Sequence, residues 1–167
     1  DYAVLTLHRP SNVDDKKDFE NIISIIEKIQ DKVKIIFPMH PRTRKNAGLF
    51  NLQGKISSMK NLILTDPLGY LDFLCLMSNS KLVLTDSGGI QEETTVLGVP
   101  CITLRNNTER PVTVEEGTNM LVSTDKTKIT NVCNGLIKGA YVKGKIPKFW
   151  DGKAAKRIVD TILKNFN

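Results

Sequence analysis

The 167-residue chain carries 24 basic and 18 acidic side chains, a formal charge of +6, with 40% hydrophobic and 25% charged residues. That composition suits one globular domain able to bury its own core and excludes a disordered chain. No apolar run approaches the roughly 20 residues that span a bilayer, and no charged-then-apolar leader opens the chain, so neither a membrane-embedded protein nor a secretory precursor is expected.

In chain order, Ala3–Leu7 is a continuous apolar run, the pattern of a strand buried on both faces. His8–Asp14 is polar and contains Pro10, which predicts loop. Phe19, Ile22, Ile23, Ile26 and Ile29 share one face of a helix. Val33–Phe37 reads as a second strand, ended by Pro38, and the segment from Arg42 as a short helix ending near Gly48–Leu52. Leu62–Leu64 predicts a third strand, Tyr70–Met77 a helix with Phe73, Leu74 and Met77 inward, and Leu82–Leu84 a fourth strand. A helix over Gly89–Leu97 follows, with Gly98 as its left-handed terminator, then a strand at Cys101–Leu104 and a sixth at Met120–Val122. Ile129, Val132, Cys133, Leu136 and Ile137 mark another helix; Ile158, Val159, Ile162, Leu163 and Phe166 mark the last. Short apolar strands alternating with amphipathic helices predict an α/β fold, a Rossmann-like parallel sheet with helices on both faces. Residues 1–167 read as a single domain. The chain opens on Asp1 almost directly in a buried-type strand, so a piece of a longer protein is expected.

Cys75, Cys101 and Cys133 are an odd number, each inside an apolar stretch, and read as buried thiols in a reducing compartment; a cytoplasmic protein is expected. With two histidines in the chain no metal site is expected. Charge is uneven: residues 126–167 hold ten basic and two acidic side chains, and nine of the ten are lysine. A lysine-coated solvent face is the simpler account. An anion- or nucleic-acid-binding surface is the alternative, although no nucleic-acid motif accompanies it.

Ligands of open parallel sheets bind beyond the carboxyl ends of the strands. There the sequence places His8 and Arg9; His40, Pro41, Arg42 and Arg44; Asp86, Ser87, Gly88 and Gly89; and Arg105, Thr108, Glu109 and Arg110. Both histidines and every arginine except Arg157 gather on this rim. The helix beginning after Ser87 offers unpaired N–H groups and about half a positive charge, and glycines there admit a close anion. The turn matches neither the dinucleotide nor the Walker-type glycine pattern, so those cofactors are not expected. Some assignments stay open on pattern alone. Phe73 fits a core position better than a stacking one, Glu92 suits the helix dipole with or without ligand, and Glu93 could accept from two vicinal hydroxyls. His40 fits a loop-fixing role as well as a ligand contact.

The strings Thr6-Leu7-His8-Arg9-Pro10-Ser11-Asn12-Val13-Asp14 and Phe37-Pro38-Met39-His40-Pro41-Arg42-Thr43-Arg44 occur with Thr85-Asp86-Ser87-Gly88-Gly89-Ile90-Gln91-Glu92-Glu93 and Leu104-Arg105-Asn106-Asn107-Thr108-Glu109-Arg110-Pro111. Together they resemble the C-terminal domain of the non-hydrolysing UDP-N-acetylglucosamine 2-epimerases. The resemblance implies the UDP-binding half of a two-domain, glycosyltransferase-B-like isomerase of cell-envelope polysaccharide biosynthesis, a homodimer when intact, needing no cofactor. It implies conversion of UDP-GlcNAc to UDP-ManNAc by elimination and re-addition of UDP, with the acid/base carboxylates on the other half and this half inactive alone. His8, Ser87, Gly88, Gly89 and Arg110 would contact the phosphates, with His8 also catalytic at the leaving oxygen. Glu93 would take the ribose, Phe73 the uracil, and Arg9 and His40 a second substrate molecule. The competing readings are a hydrolysing 2-epimerase, a 2-epimerase of a modified UDP-hexosamine, and a glycosyltransferase.

Overall fold

The computed structural model describes residues 1–140 and 144–166. Six strands form one parallel sheet: β1 (Tyr2–Thr6), β2 (Lys34–Pro38), β3 (Leu62–Thr65), β4 (Leu82–Thr85), β5 (Cys101–Thr103) and β6 (Asn119–Leu121), in the spatial order β3-β2-β1-β4-β5-β6. Every pairing is parallel, with Val4 opposite Ile36 on one side and Val83 on the other. The order reverses between β1 and β4, which opens a crevice beyond their carboxyl ends.

Strand alternation divides the interior into two layers. Ala3, Leu5, Ile35, Phe37, Leu82, Leu84 and Ile102 face the larger layer with Phe19, Ile22, Ile23 and Ile26. Val4 and Val83 face the smaller one with Met77 and Val99, where Phe73, Leu74, Ile90 and Leu97 pack partly buried. The larger layer is covered by α2 (Lys16–Gln30) and α8 (Lys126–Ile137), the smaller by α5 (Tyr70–Ser78) and α6 (Gly88–Leu97). Asp15 opens α2 by accepting from the Lys17 and Asp18 N–H groups at 2.8 and 3.0 Å, and Asp125 opens α8 by accepting from Lys128 N–H at 2.8 Å. Gly98 ends α6 at φ 69°, the expected left-handed residue.

Proline behaves differently from the sequence expectation. Pro10 does not keep 8–14 as loop; it opens α1 (Pro10–Val13). Pro41 opens α3 (Pro41–Leu49) and Pro111 opens α7 (Pro111–Glu115), a helix the periodicity does not reveal. The first helical residue needs no N–H donor, and proline's fixed φ suits it. A further turn, α4 (Gln53–Ser57), follows α3. The terminal α9 (Ala154–Phe166) forms as expected, but Ile158, Val159, Ile162 and Leu163 are 51–59% exposed.

The cysteine reading needs correction. Cys101 and Cys133 are buried, whereas Cys75 is exposed, because Phe73 and Met77 take the inward face of α5 and leave Cys75 opposite. Burial pushes the Cys101 thiol up to about 11 and the Cys133 thiol up to about 12. A thiol reagent at about pH 8 is therefore expected to modify Cys75 alone in the folded chain and all three cysteines after denaturation. Mass spectrometry of the alkylated protein reads the outcome.

Candidate functional site

The rim at the β1–β4 reversal is organised around Asp86, which is 0% exposed. Its carboxylate accepts from the His8 and Arg9 backbone N–H groups at 3.0 and 2.9 Å, from Asn12 Nδ2 at 3.2 Å, and from His8 Nδ1 at 2.9 Å. Burial pushes the Asp86 carboxyl upward, but the His8 ring and the two backbone donors together hold it below the usual carboxylate range. Asn12 also donates to Leu104 O at 3.0 Å, so one buried carboxylate and one amide tie together the ends of β1, β4 and β5. Thr6 and Thr85 join their hydroxyls at 2.7 Å, and Thr85 Oγ1 accepts from Ser87 N–H at 3.0 Å. The sequence puts Asp86 on the rim but gives it no role there; its place two residues after the apolar run Leu82–Leu84 is the one local sign of its burial.

Ser87 precedes α6 in extended conformation, and its side chain makes no capping bond. A Cβ on Gly89 would meet nothing within 4 Å, and one on Gly88 would meet only Glu109 Oε2 at 3.9 Å. Neither packing nor a positive φ demands glycine there. What the two glycines leave is bare, open backbone at the positive end of a ten-residue helix, the form of an anion cradle.

A second buried network holds the loop on the far side of this helix start. Gln91, 0% exposed, accepts from Thr108 Oγ1 at 2.6 Å and from Asn119 Nδ2 at 3.1 Å, and donates to Ser87 O at 3.2 Å. Asn119 is also bonded to Thr103 and Thr113, and Thr108 Oγ1 accepts from Arg110 N–H at 2.9 Å. Sequence reasoning missed Gln91. Its spacing from Thr94 and Thr95, an inward polar stripe at i+3 and i+4, is the sign that could have found it.

The rim arginines are not bare cations: each stands against a carboxylate. Arg42 pairs with Asp14, Arg44 with Asp66 at 2.8 Å, and Arg110 Nε with Glu92 at 2.9 Å. Arg105 grips Glu109 through two contacts of 2.7 and 2.8 Å, while Arg9 approaches the same carboxylate at 3.8 Å. An arriving anion thus meets backbone N–H groups first, and arginine only by competing with a carboxylate. The Arg105 guanidinium, aided by backbone bonding, holds the Glu109 carboxyl down to about 2 from an ordinary 4.5. Since the folded value lies below the unfolded one, the contribution is full above about 4.5 and is lost as pH falls toward about 2. Glu109 is exposed, which makes the effect small. Thermal melts across that window are expected to decline less steeply for Glu109→Gln than for the wild type.

The other expected residues divide between hollows. His8, His40, Phe73, Thr6, Pro67 and Leu68 line one of about 170 Å³, with the two imidazole centroids 5.7 Å apart. Phe73 packs on the smaller core, as its pattern suggests, and also walls this hollow. His40 does fix a loop: its Nδ1 accepts from Arg42 N–H at 3.1 Å. Glu93 lines a separate hollow of about 470 Å³ with Tyr70, Leu74, Glu92 and Trp150. Partial burial and Glu92 raise its carboxyl. Arg9 lines a third, polar hollow with Arg105 and Asn106, away from the one lined by His40. Ser87, Gly88, Gly89 and Arg110 line none of the three and instead form the open ground around the start of α6. No three or more His, Cys, Asp or Glu side chains are placed to hold a metal ion among the described residues, nor is any helix there long and apolar enough to cross a membrane.

This fold and rim define a Rossmann-like, glycosyltransferase-B-type domain. An Escherichia coli heptosyltransferase solved with ADP-2-deoxy-2-fluoro heptose shares the fold, at 16% identity and a TM-score of 0.56 over 83% of this chain and 43% of that one. The chain belongs to the UDP-N-acetylglucosamine 2-epimerase family, whose model matches residues 1–163. The UDP-N-acetylglucosamine 2-epimerase of Methanocaldococcus jannaschii is 50% identical over 163 residues, 95% of this chain and 43% of that protein. The crystal structure of the M. jannaschii UDP-GlcNAc 2-epimerase in complex with UDP-GlcNAc and UDP superposes with a TM-score of 0.88 at 46% identity, covering 98% of this chain and 45% of its own. The chain therefore spans less than half the length of the relatives it matches.

Proposed function

We propose that this chain is the UDP-gripping half of a non-hydrolysing UDP-N-acetylglucosamine 2-epimerase, one that interconverts UDP-GlcNAc and UDP-ManNAc, and that it does not epimerise alone. The observation that carries the reading is the bare glycine start of α6 at the sheet's reversal, with His8 held on Asp86 just before it and Arg110 held on Glu92 within it. Breaking the bond between sugar and diphosphate moves an electron pair onto a phosphate oxygen. Donors fixed there before reaction lower the barrier because charge grows where they already point. Ser87, Gly88 and Gly89 supply backbone donors, and His8 and Arg110 supply side-chain donors. Phe73 would take the uracil from α5 and Glu93 the ribose hydroxyls from the neighbouring α6. Arg9 and His40, on separate hollows, remain a proposed second-substrate pair. The acid and base that act at carbon 2 belong to the remainder of the longer protein, and the intact enzyme would be a cytoplasmic homodimer.

Titration calorimetry with UDP tests the reading. Weak but measurable binding is expected, falling about tenfold or more for Arg110→Ala, as loss of a charge-assisted hydrogen bond implies. Equal affinity in both proteins, or none in the wild type, contradicts it.

A further inference from the structure

We propose that Asp86 is the positioning residue of His8, holding Nδ1–H on its carboxylate so that Nε2 is presented to the diphosphate. The role rests on the nucleotide reading above for its target, and on the geometry alone for its arrangement. The carboxylate is wholly buried, yet the ring it holds has a side chain 38% exposed, so the pair runs from the protein interior to the surface of the rim. Two backbone N–H groups and Asn12 Nδ2 already satisfy Asp86 as a brace for the loop after β1. The bond from the imidazole at 2.9 Å is not needed for bracing; it selects one orientation and one tautomer of the ring. An ionised carboxylate only accepts, so Nδ1 must carry the hydrogen.

The surroundings favour this arrangement. Facing Asp86 are His8 from the loop after β1 and, acting electrostatically, Arg105 from the loop after β5, which is itself held by Glu109. Facing the His8 ring is His40 at the start of α3. His40 cannot take the same part: its Nδ1 is an acceptor for Arg42 N–H. The chain's two histidines are thus set in opposite tautomers by their partners, and of the two only His8 has a carboxylate behind it.

Two measurements test the proposal. In the 15N-labelled wild-type chain, imidazole correlation spectra of the neutral rings should show His8 protonated at Nδ1 and His40 at Nε2. An unprotonated His8 Nδ1 overturns the proposal. The second is a cycle of Asp86→Asn and His8→Ala, singly and together, read by calorimetry with UDP. Asp86→Asn is expected to weaken binding about tenfold when His8 is present and less than about twofold when it is alanine. Equal losses in both backgrounds mean that Asp86 only braces the loop, and they overturn the proposal. If Asp86→Asn does not fold, the wild-type spectrum decides. If the wild type takes up no UDP, the nucleotide reading fails separately, and the tautomer of His8 still decides whether Asp86 sets the ring.

Discussion

Gly117→Ala is expected to lower the melting temperature by roughly 6–12 °C, the equivalent of about 3 kcal/mol in a domain of this size. A Cβ at Gly117 would lie 2.5 Å from Thr95 Oγ1, 2.6 Å from the Thr113 carbonyl oxygen and 2.7 Å from Thr95 Cγ2. The Thr113 oxygen is backbone of α7 and cannot swing aside. Thr95 could move only by giving up its 2.8 Å bond to the Gln91 carbonyl. A Cβ at Gly144 would in turn come within 2.2 Å of the Gly117 carbonyl oxygen, and Lys145 N–H donates to Glu116 O at 2.7 Å beside this crossing. The two glycines let one stretch of backbone pass against another, so Gly144→Ala is expected to destabilise in the same way. A melting temperature within about 2 °C of wild type for Gly117→Ala would show that α7 accommodates the methyl group, against the packing described (about 0.5–1 kcal/mol on the same scale).

Gln91→Ala is expected to destabilise by about 2–4 kcal/mol and to weaken UDP binding several-fold, although Gln91 reaches no surface. The substitution removes the shared acceptor of Thr108 and Asn119 and the donor to Ser87 O, leaving buried polar groups short of partners. It also frees the loop that carries Arg110, since Thr108 is the link between Gln91 and the Arg110 backbone. Thr108→Val separates the two effects. That change cuts the tether at the rim and leaves the Gln91–Asn119 bond in place, so affinity should fall while stability changes by about 1 kcal/mol. Retained UDP affinity in both variants would show that the loop needs no such anchor.

The legible part of this fold is the part burial dictates. The alternation in β1, with Ala3 and Leu5 to one layer and Val4 to the other, and the isoleucine stripe of α2 follow from having an interior on both sides of the sheet. Gly98 is readable because a helix end in the left-handed region favours glycine. Pro10 misleads in the opposite sense: it reads as a mark of loop, yet it begins a helix, as Pro111 also does. Cys75 sits between Leu74 and Leu76, so its neighbours read as core while the helical period turns it outward.

At the site, the polar rim is visible because histidines, arginines and glycines stand at the carboxyl ends of apolar strands. Their partners are not visible. Arg110 and Glu92 are eighteen residues apart, and His8 and Asp86 are separated by 78. A carboxylate that neutralises an arginine leaves no mark in the local pattern of either. Glu92 shows the consequence: the helix-dipole account of it is sound, but its contact with Arg110 is what bears on the rim. Sequence order alone also could not divide Phe73 and Glu93 between two hollows on adjoining helices.

The most direct test of the central claim, that the helix start after Ser87 is where UDP lodges, is an amide NMR titration of the 15N-labelled chain with UDP. The account predicts saturable shifts concentrated at Gly88, Gly89 and Ile90, with smaller ones at His8, Arg9 and the Thr108–Arg110 loop. Shifts confined to the lysine-rich surface of residues 126–164, or no shifts at the Gly88 and Gly89 amides, would contradict it.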